Sequence, residues 1–93
     1  MLFRLDTVTI KEVKSQIAHW CQILRKQHNE TQISLARKLN VSHKTIYNLE
    51  KGTNFTIDTL LKVLQHFDRL DLINKFLSGQ IEQETEKSDI NLY

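Results

Sequence analysis

Five side chains that can donate hydrogen bonds recur at helical spacing between positions 43 and 51: His43, Lys44, Tyr47, Asn48 and Lys51. Residues three or four apart share one face of an α-helix, so a helix here would present all five on one side. Lysine can donate to guanine and to phosphate, and asparagine can pair with adenine. A chance amphipathic helix would more often place Asp and Glu on its polar face. The pattern favours binding to nucleic acid.

Two predicted helices joined by a tight turn would position this face. The first helix begins after the N-cap Thr31 and ends at Asn40, a residue type that tolerates the left-handed conformation of a sharp turn. Ser42 caps the second helix and Gly52 ends it. Ile33, Leu35, Ala36 and Leu39 are apolar positions at helical spacing in the first helix. Val41 can fill the space beneath the turn, and the predicted buried face of the second helix is Ile46 and Leu49. Such a helix-turn-helix unit places its second helix in a DNA major groove.

The stretch TQISLARKLNVSHKTIYNLEKG resembles the Xre-type helix-turn-helix family of phage repressors and Cro-like proteins. The resembling residues are Thr31, Gln32, Leu35, Ala36, Val41, Ser42, Ile46 and the Leu-Glu-Lys-Gly sequence at 49–52. The likeness extends over most of residues 10–67. It implies an all-α, five-helix repressor-like domain that binds duplex DNA and regulates transcription. Glu30 stands where the family usually has an apolar residue, so we expect a looser start to the helix after Thr31.

The resemblance also implies roles for individual residues. The base-contacting positions of the family correspond to His43, Lys44, Tyr47 and Asn48, with His43 meeting a guanine or a phosphate. Phosphate contacts are expected from Ser42, Thr45, Lys51, Thr53 and Asn54. Gln32 matches a glutamine that contacts phosphate and braces the recognition helix. Arg25 and Glu50 match a structural ion pair, the alternative being two independent surface charges.

Three further helices complete the predicted domain. Thr9 and Glu12 have the form of a capping box, which predicts a first helix from there to about Gln27. Thr56 caps a fourth helix, whose predicted inward residues are Ile57, Leu60, Leu61, Val63, Leu64 and Phe67. A fifth helix is expected from about Arg69 to Leu77, ending at Gly79. Residues 1–8 are apolar enough to predict a short strand or an arm packed on the body.

The fifth helix carries more apolar surface than a short terminal helix can bury alone. We expect Leu70, Ile73, Phe76 and Leu77 to form a homodimer interface on a pseudo-palindromic operator. An apolar fifth helix followed by a short tail resembles the HipB-type antitoxins, which repress their own operon and bind a kinase-like toxin. The alternatives are a free-standing phage or plasmid repressor, and a protein-interaction module that uses the fold as a scaffold.

The chain divides into a predicted domain at 1–79 and a polar, acidic tail at 80–93, which we expect to be mobile. The tail ends in Ile90, Leu92 and Tyr93, which a partner protein could order; an appendage without a partner is the alternative. Residues 1–67 contain ten Lys/Arg and five Asp/Glu, whereas residues 68–93 contain three and six, so the net charges are +5 and −3. A basic body with an acidic tail suits phosphate binding, although it also fits a solvated tail on a mildly basic domain.

The sequence offers little for catalysis or metal binding. Two glycines, Gly52 and Gly79, are too few for a phosphate-cradling loop, and the four histidines lack metal-ligand spacing. The single cysteine excludes an intrachain disulfide and suggests a reducing compartment. No apolar run approaches the roughly 18 residues of a membrane span, and the N-terminus has no signal-peptide core. We expect a cytoplasmic binding protein, with no enzymatic activity, cofactor, metal or membrane contact.

Overall fold

The structure is a computed structural model that describes residues 7–88, and within this range it consists of five α-helices. They are α1 (Ile10–Gln27), α2 (Gln32–Leu39), α3 (His43–Lys51), α4 (Ile57–His66) and α5 (Leu70–Ser88). The predicted all-α, five-helix class is confirmed. The predicted arm at 1–8 lies outside the described residues except for Thr7 and Val8, which are exposed and form no strand. Ile90, Leu92 and Tyr93 of the tail also lie outside this range.

Hydroxyl side chains start the first four helices at the predicted positions. Thr9 accepts a hydrogen bond from the Glu12 backbone amide at 3.0 Å, and the Glu12 carboxylate accepts one from the Thr9 amide at 3.1 Å. Thr31, Ser42 and Thr56 each accept from the amide three residues later, at 3.0, 3.1 and 3.2 Å. Each such cap stabilises a helix by about 0.5–2 kcal/mol relative to alanine. Because a cap is a local interaction, the helix starts follow directly from the sequence.

Left-handed residues make the short connections between helices. Asn29 and Asn40 have φ angles of 56° and 58°, and they turn the chain before and after α2. Gly52 has φ 76° at the end of α3, where an added Cβ would lie 3.2 Å from the Lys14 carbonyl oxygen. Asparagine tolerates this conformation better than other non-glycine residues, and glycine adopts it without steric cost. At Gly52 the close approach of α1 adds a second reason for glycine.

One apolar cluster holds together the four helices α1, α2, α3 and α4. Its buried members are Cys21, Leu24, Leu35, Ala36, Ile46, Leu49, Val63, Leu64 and Phe67. Ile73 of α5 packs against this cluster from outside. Burial raises the pKa of the Cys21 thiol to about 12, and the nearby charge of Glu50 acts in the same direction. Cys21 is therefore a small apolar core residue rather than a reactive thiol.

Two isoleucines that fit the apolar pattern of their helices are exposed. Ile33 is 53% exposed and Ile57 is 68% exposed, so the prediction that Ile57 faces inward is wrong. Each residue stands in the first turn of its helix, beside the arc that faces the core. In α2 the residues buried in the core are Leu35 and Ala36, and in α4 they are Val63 and Leu64. Helical spacing gives the arc that can be buried, but the neighbouring helices decide which part of it is covered.

The predicted end of α5 at Gly79 is wrong. Gly79 is helical, and α5 continues for a further nine residues to Ser88. A glycine inside a helix is unfavourable by only about 1 kcal/mol relative to alanine, and the following sequence QIEQETEK consists largely of good helix formers. Residues 80–88 are thus helical instead of a mobile tail. The boundary between residues 79 and 80 falls within α5, and a separate role for residues 80–93 stays a prediction.

Candidate nucleic-acid interface

The exposed side of α3 carries the donors that the sequence placed there. Ile46 and Leu49 are fully buried against α1 and α2, which turns the opposite side outward. His43, Lys44, Tyr47 and Lys51 are exposed, and Asn48 is half-buried beside them. None of the ion pairs formed among residues 7–88 involves Lys44 or Lys51. Their positive charges are therefore not neutralised by a carboxylate of the described chain.

The aromatic ring of Tyr47 orients Lys51, the last residue of α3. The Lys51 ammonium lies 5.3 Å from the centroid of the Tyr47 ring, within the range of a cation–π contact. At an exposed site such a contact contributes about 0.5–1 kcal/mol. Tyr47 thus favours one direction for the Lys51 side chain, along the exposed side of α3.

A buried ion pair fixes the C-terminal end of α3 to the rest of the domain. Arg25 donates from Nε to Glu50 Oε2 at 2.6 Å and from Nη2 to Glu50 Oε1 at 2.9 Å. Its Nη1 donates to the Glu30 carbonyl oxygen at 2.8 Å, so one guanidinium joins α1, the α1–α2 turn and α3. The two side chains are only 10% and 3% exposed. The hydrogen bond to Glu50 outweighs burial and raises the pKa of Arg25 above its already high ordinary value.

Gln32 connects this ion pair to the first residue of α3. Its Nε2 donates to Glu50 Oε1 at 3.0 Å, and its Oε1 lies 3.0 Å from His43 Nε2. The amide therefore links α2 to both ends of α3. One hydrogen of its NH₂ group is not used in these two bonds and is left for another acceptor.

The remaining predicted phosphate contacts lie at the two ends of α3. The Ser42 hydroxyl caps α3 and lies 2.8 Å from the Thr45 hydroxyl, so these two side chains bond to each other. Thr53 and Asn54 are exposed in the loop after α3, where Asn54 has φ 48°. The structure thus groups the predicted residues along α3 and its flanking turns, with Gln32 beside them on α2.

A second polar cluster, which the sequence does not predict, lies at Glu30. Glu30 Oε2 lies 2.9 Å from His66 Nε2 and 3.5 Å from Lys38 Nζ, which joins the α1–α2 turn to α4 and to the end of α2. Burial pushes the pKa of Glu30 upward, but the hydrogen bond and charge of His66, together with Lys38, outweigh it and leave the pKa below its ordinary value. These contacts tie the turn before α2 to α4 and to the end of α2, and the expected looser start of α2 stays a prediction. His66 lies 36 positions away, too far for sequence spacing to reveal the pairing.

Residues 7–88 form neither a metal site nor a helix suited to span a membrane. In residues 7–88, no three His, Cys, Asp or Glu side chains come together as a metal site. None of the five helices combines the length and apolar character that a membrane crossing needs, as far as the described chain extends.

Comparison with known proteins places the sequence in a family. The profile described as Helix-turn-helix matches residues 22–79, from the middle of α1 into α5. The chain belongs to this helix-turn-helix family of DNA-binding regulators. It is 31% identical to the antitoxin HipB of Escherichia coli O6:H1 over 71 residues, which cover 73% of this chain and 76% of that protein. It is 34% identical to the antitoxin HipB of Escherichia coli K12 over 55 residues, which cover 58% of this chain and 62% of that protein. No solved structure matches the chain significantly.

Proposed function

We propose that the protein is a homodimeric, sequence-specific duplex DNA-binding repressor of its own operon, and the antitoxin of a toxin protein encoded there. The observation that carries the proposal is the exposed side of α3, where Lys44 and Lys51, which form no ion pair within residues 7–88, lie on a helix fixed by the Arg25–Glu50 pair. A rigid helix with exposed donors suits recognition in the major groove, because base contacts need fixed geometry. Similarity to two proteins named antitoxin HipB supports the antitoxin role.

Base contacts are assigned to His43, Lys44, Tyr47 and Asn48. Lys44 can donate to guanine O6 and N7, and Asn48 can pair with the N6 and N7 atoms of adenine. Tyr47 is bulky and suits a thymine methyl group or a sugar. Phosphate contacts are assigned to Gln32, Ser42, Thr45, Lys51, Thr53 and Asn54.

An apolar groove between α4 and α5 supports the proposed dimer. It has a volume of about 300 Å³ and is lined by Ile57, Leu61, Leu70, Ile73, Asn74 and Leu77. Leu77 is 50% exposed, and Phe76 beside the groove is 64% exposed. Burying apolar side chains of this size contributes about 1.5–3 kcal/mol each before the cost of association. A two-fold dimer would match half-sites about one helical turn apart.

Light scattering tests the dimer directly. The wild-type protein should be a dimer at micromolar concentration, and Phe76→Glu should shift it towards monomer because a charge cannot be buried unpaired in an apolar interface. Lys75→Glu, at a neighbouring exposed position outside the groove, is the matched control and should leave the dimer intact. A wild-type monomer at high micromolar concentration would refute the dimer.

The DNA-binding proposal is tested by gel shift with the protein's own upstream DNA across a salt series. Specific binding should persist at salt concentrations that abolish binding to random DNA, because counterion release dominates the non-specific part. A free-standing repressor would bind equally well, and a toxin reading frame next to the gene would distinguish the antitoxin from it. Absence of specific binding would favour the scaffold alternative.

The segment at 80–93 is proposed to engage the toxin rather than DNA. Its net negative charge would repel phosphate, and its last residues are apolar. Truncation after Gly79 should leave operator affinity within about a few-fold, since no phosphate-binding residue is removed. A large loss of operator affinity would show that the second half of α5 belongs to the dimer or the fold.

A further inference from the structure

A chain of hydrogen bonds leads from Arg25 through Glu50 and Gln32 to the His43 imidazole. The Arg25 end of the chain determines which group donates in each bond. Both oxygens of Glu50 accept from the Arg25 guanidinium, which can only donate. A carboxylate in such a pair acts as an acceptor. Gln32 must therefore turn its NH₂ group towards Glu50, because the reverse orientation would bring two oxygens together at 3.0 Å.

This orientation determines which nitrogen of His43 carries a hydrogen. With its nitrogen at Glu50, Gln32 presents its carbonyl oxygen to His43 Nε2 at 3.0 Å. A carbonyl oxygen only accepts, so Nε2 must be the donor. A neutral imidazole has a single N–H, so Nδ1 then has a free lone pair and is an acceptor. Among residues 7–88, no hydrogen bond occupies His43 Nδ1.

The chemistry of Nδ1 restricts what neutral His43 can contact on DNA. Guanine N7 and O6 and the phosphate oxygens are all acceptors, and an acceptor cannot bond to them. The donors in the major groove are the exocyclic amino groups, N6 of adenine and N4 of cytosine. The guanine or phosphate contact implied by the family resemblance is therefore incompatible with the neutral tautomer that Gln32 imposes.

We propose that neutral His43 determines specificity by accepting, through Nδ1, a hydrogen bond from the exocyclic amino group of an adenine or a cytosine. Gln32 is the positioning residue, and the Arg25–Glu50 pair sets its orientation. The inference rests on the proposed function, since it requires α3 to enter the major groove.

The first test measures the tautomer in the free protein. Long-range ¹H–¹⁵N NMR under mildly alkaline conditions, where imidazoles are neutral, distinguishes the two forms. His43 should have its hydrogen on Nε2. His28 is an internal reference for the opposite tautomer, because its Nδ1 lies 2.8 Å from the Leu24 carbonyl oxygen and must carry the hydrogen. A hydrogen on Nδ1 of His43 would overturn the proposal.

The second test removes single functional groups from DNA. The probe is a duplex that the protein itself selects from a random pool, in which purine replaces each adenine and pyrimidin-2-one replaces each cytosine, one position at a time. Each replacement deletes one amino group. The matched variant is His43→Lys, whose ammonium can still donate to the Gln32 carbonyl oxygen but carries no acceptor that could replace Nδ1.

The two proteins should differ at one position of the duplex. There, loss of the amino group should weaken wild-type binding about five- to tenfold, as expected for one hydrogen bond, and leave the His43→Lys variant unaffected. The replacement that has this effect identifies the base as adenine or cytosine. If no such position exists, or if 7-deazaguanine has this effect instead, the proposal is wrong. A protein that selects no duplex would refute the proposed function as well, and the NMR result would then show whether the tautomer argument failed with it.

Discussion

Replacing Arg25 with methionine should severely destabilise the domain. Methionine keeps most of the volume of the side chain but removes the cation, and it leaves the Glu50 carboxylate, only 3% exposed, with Gln32 as its one remaining hydrogen-bond donor. The Glu30 carbonyl oxygen also loses its bond to Arg25 Nη1. Removing one partner of a buried pair costs about 3–5 kcal/mol, a large part of the 5–15 kcal/mol by which small domains are stable.

The double variant Arg25→Met/Glu50→Leu separates this loss from a loss of packing. With both charges removed, no unpaired carboxylate is buried, and the main remaining costs are the unsatisfied Gln32 amide and Glu30 carbonyl oxygen, about 1–3 kcal/mol for each group. The double variant should therefore be more stable than Arg25→Met alone. Lys75→Met is the control, because Lys75 and Asp71 form an exposed pair at 3.8 Å whose removal should change stability little.

Urea unfolding followed by circular dichroism measures all three variants. If Arg25→Met lowers the free energy of unfolding by less than about 1 kcal/mol, the pair behaves as a surface pair and the reasoning is refuted. A double variant less stable than the single variant would refute it equally. An Arg25→Met protein that fails to fold leaves the second comparison intact.

Three further outcomes are expected. Lys51→Ala should weaken binding to specific and random DNA alike and reduce the slope of log affinity against log salt by about one unit, and an unchanged slope in a gel-shift salt series would exclude the phosphate contact. Folding lowers the pKa of Glu30, so the Glu30 carboxylate stabilises the fold above the ordinary carboxyl pKa of 4.5, and this stabilisation is lost as the pH falls through the lower pKa of the folded state. Urea unfolding at a series of acid pH values should therefore show a smaller loss of stability for Glu30→Gln than for the wild type. Gly52→Ala should lower the melting temperature, because residue 52 has φ 76° and an added Cβ would face the Lys14 carbonyl. Gly79→Ala should raise the melting temperature, because residue 79 lies inside a helix and a Cβ there meets no atom within 4 Å. Equal effects of the two substitutions would contradict the strained turn at Gly52 and the open helical position at Gly79.

Local interactions are the part of this fold that the sequence predicts well. Thr9, Thr31, Ser42 and Thr56 cap helices because each bonds to an amide three residues later, and Asn40 turns the chain by its own conformational tolerance. No distant part of the chain is needed to form these features.

The errors arise where the outcome depends on neighbours in space. Ile33 and Ile57 fit the apolar pattern but lie beyond the edge of the core contact. Gly79 is compatible with both a helix end and a helix interior, and residues 80–88 decide between them. Glu30 is stabilised by His66, whose position beside it follows only from the packing of α4. The candidate site shows the same division: helical periodicity predicts the exposed side of α3, but the hydrogen bonds that orient His43 appear only in the structure.

The central claim, that the exposed side of α3 contacts base edges, is tested most directly by Asn48→Ala. Asn48 is half-buried on that side, next to the fully buried Leu49, and its substitution should leave thermal stability nearly unchanged. Fluorescence anisotropy should show that affinity for the selected duplex falls by roughly 5- to 150-fold, the equivalent of about 1–3 kcal/mol for one base contact, while affinity for random DNA is unchanged. If both affinities equal those of the wild type, α3 does not contact bases through this residue, and the protein is better explained as an interaction module built on a helix-turn-helix scaffold.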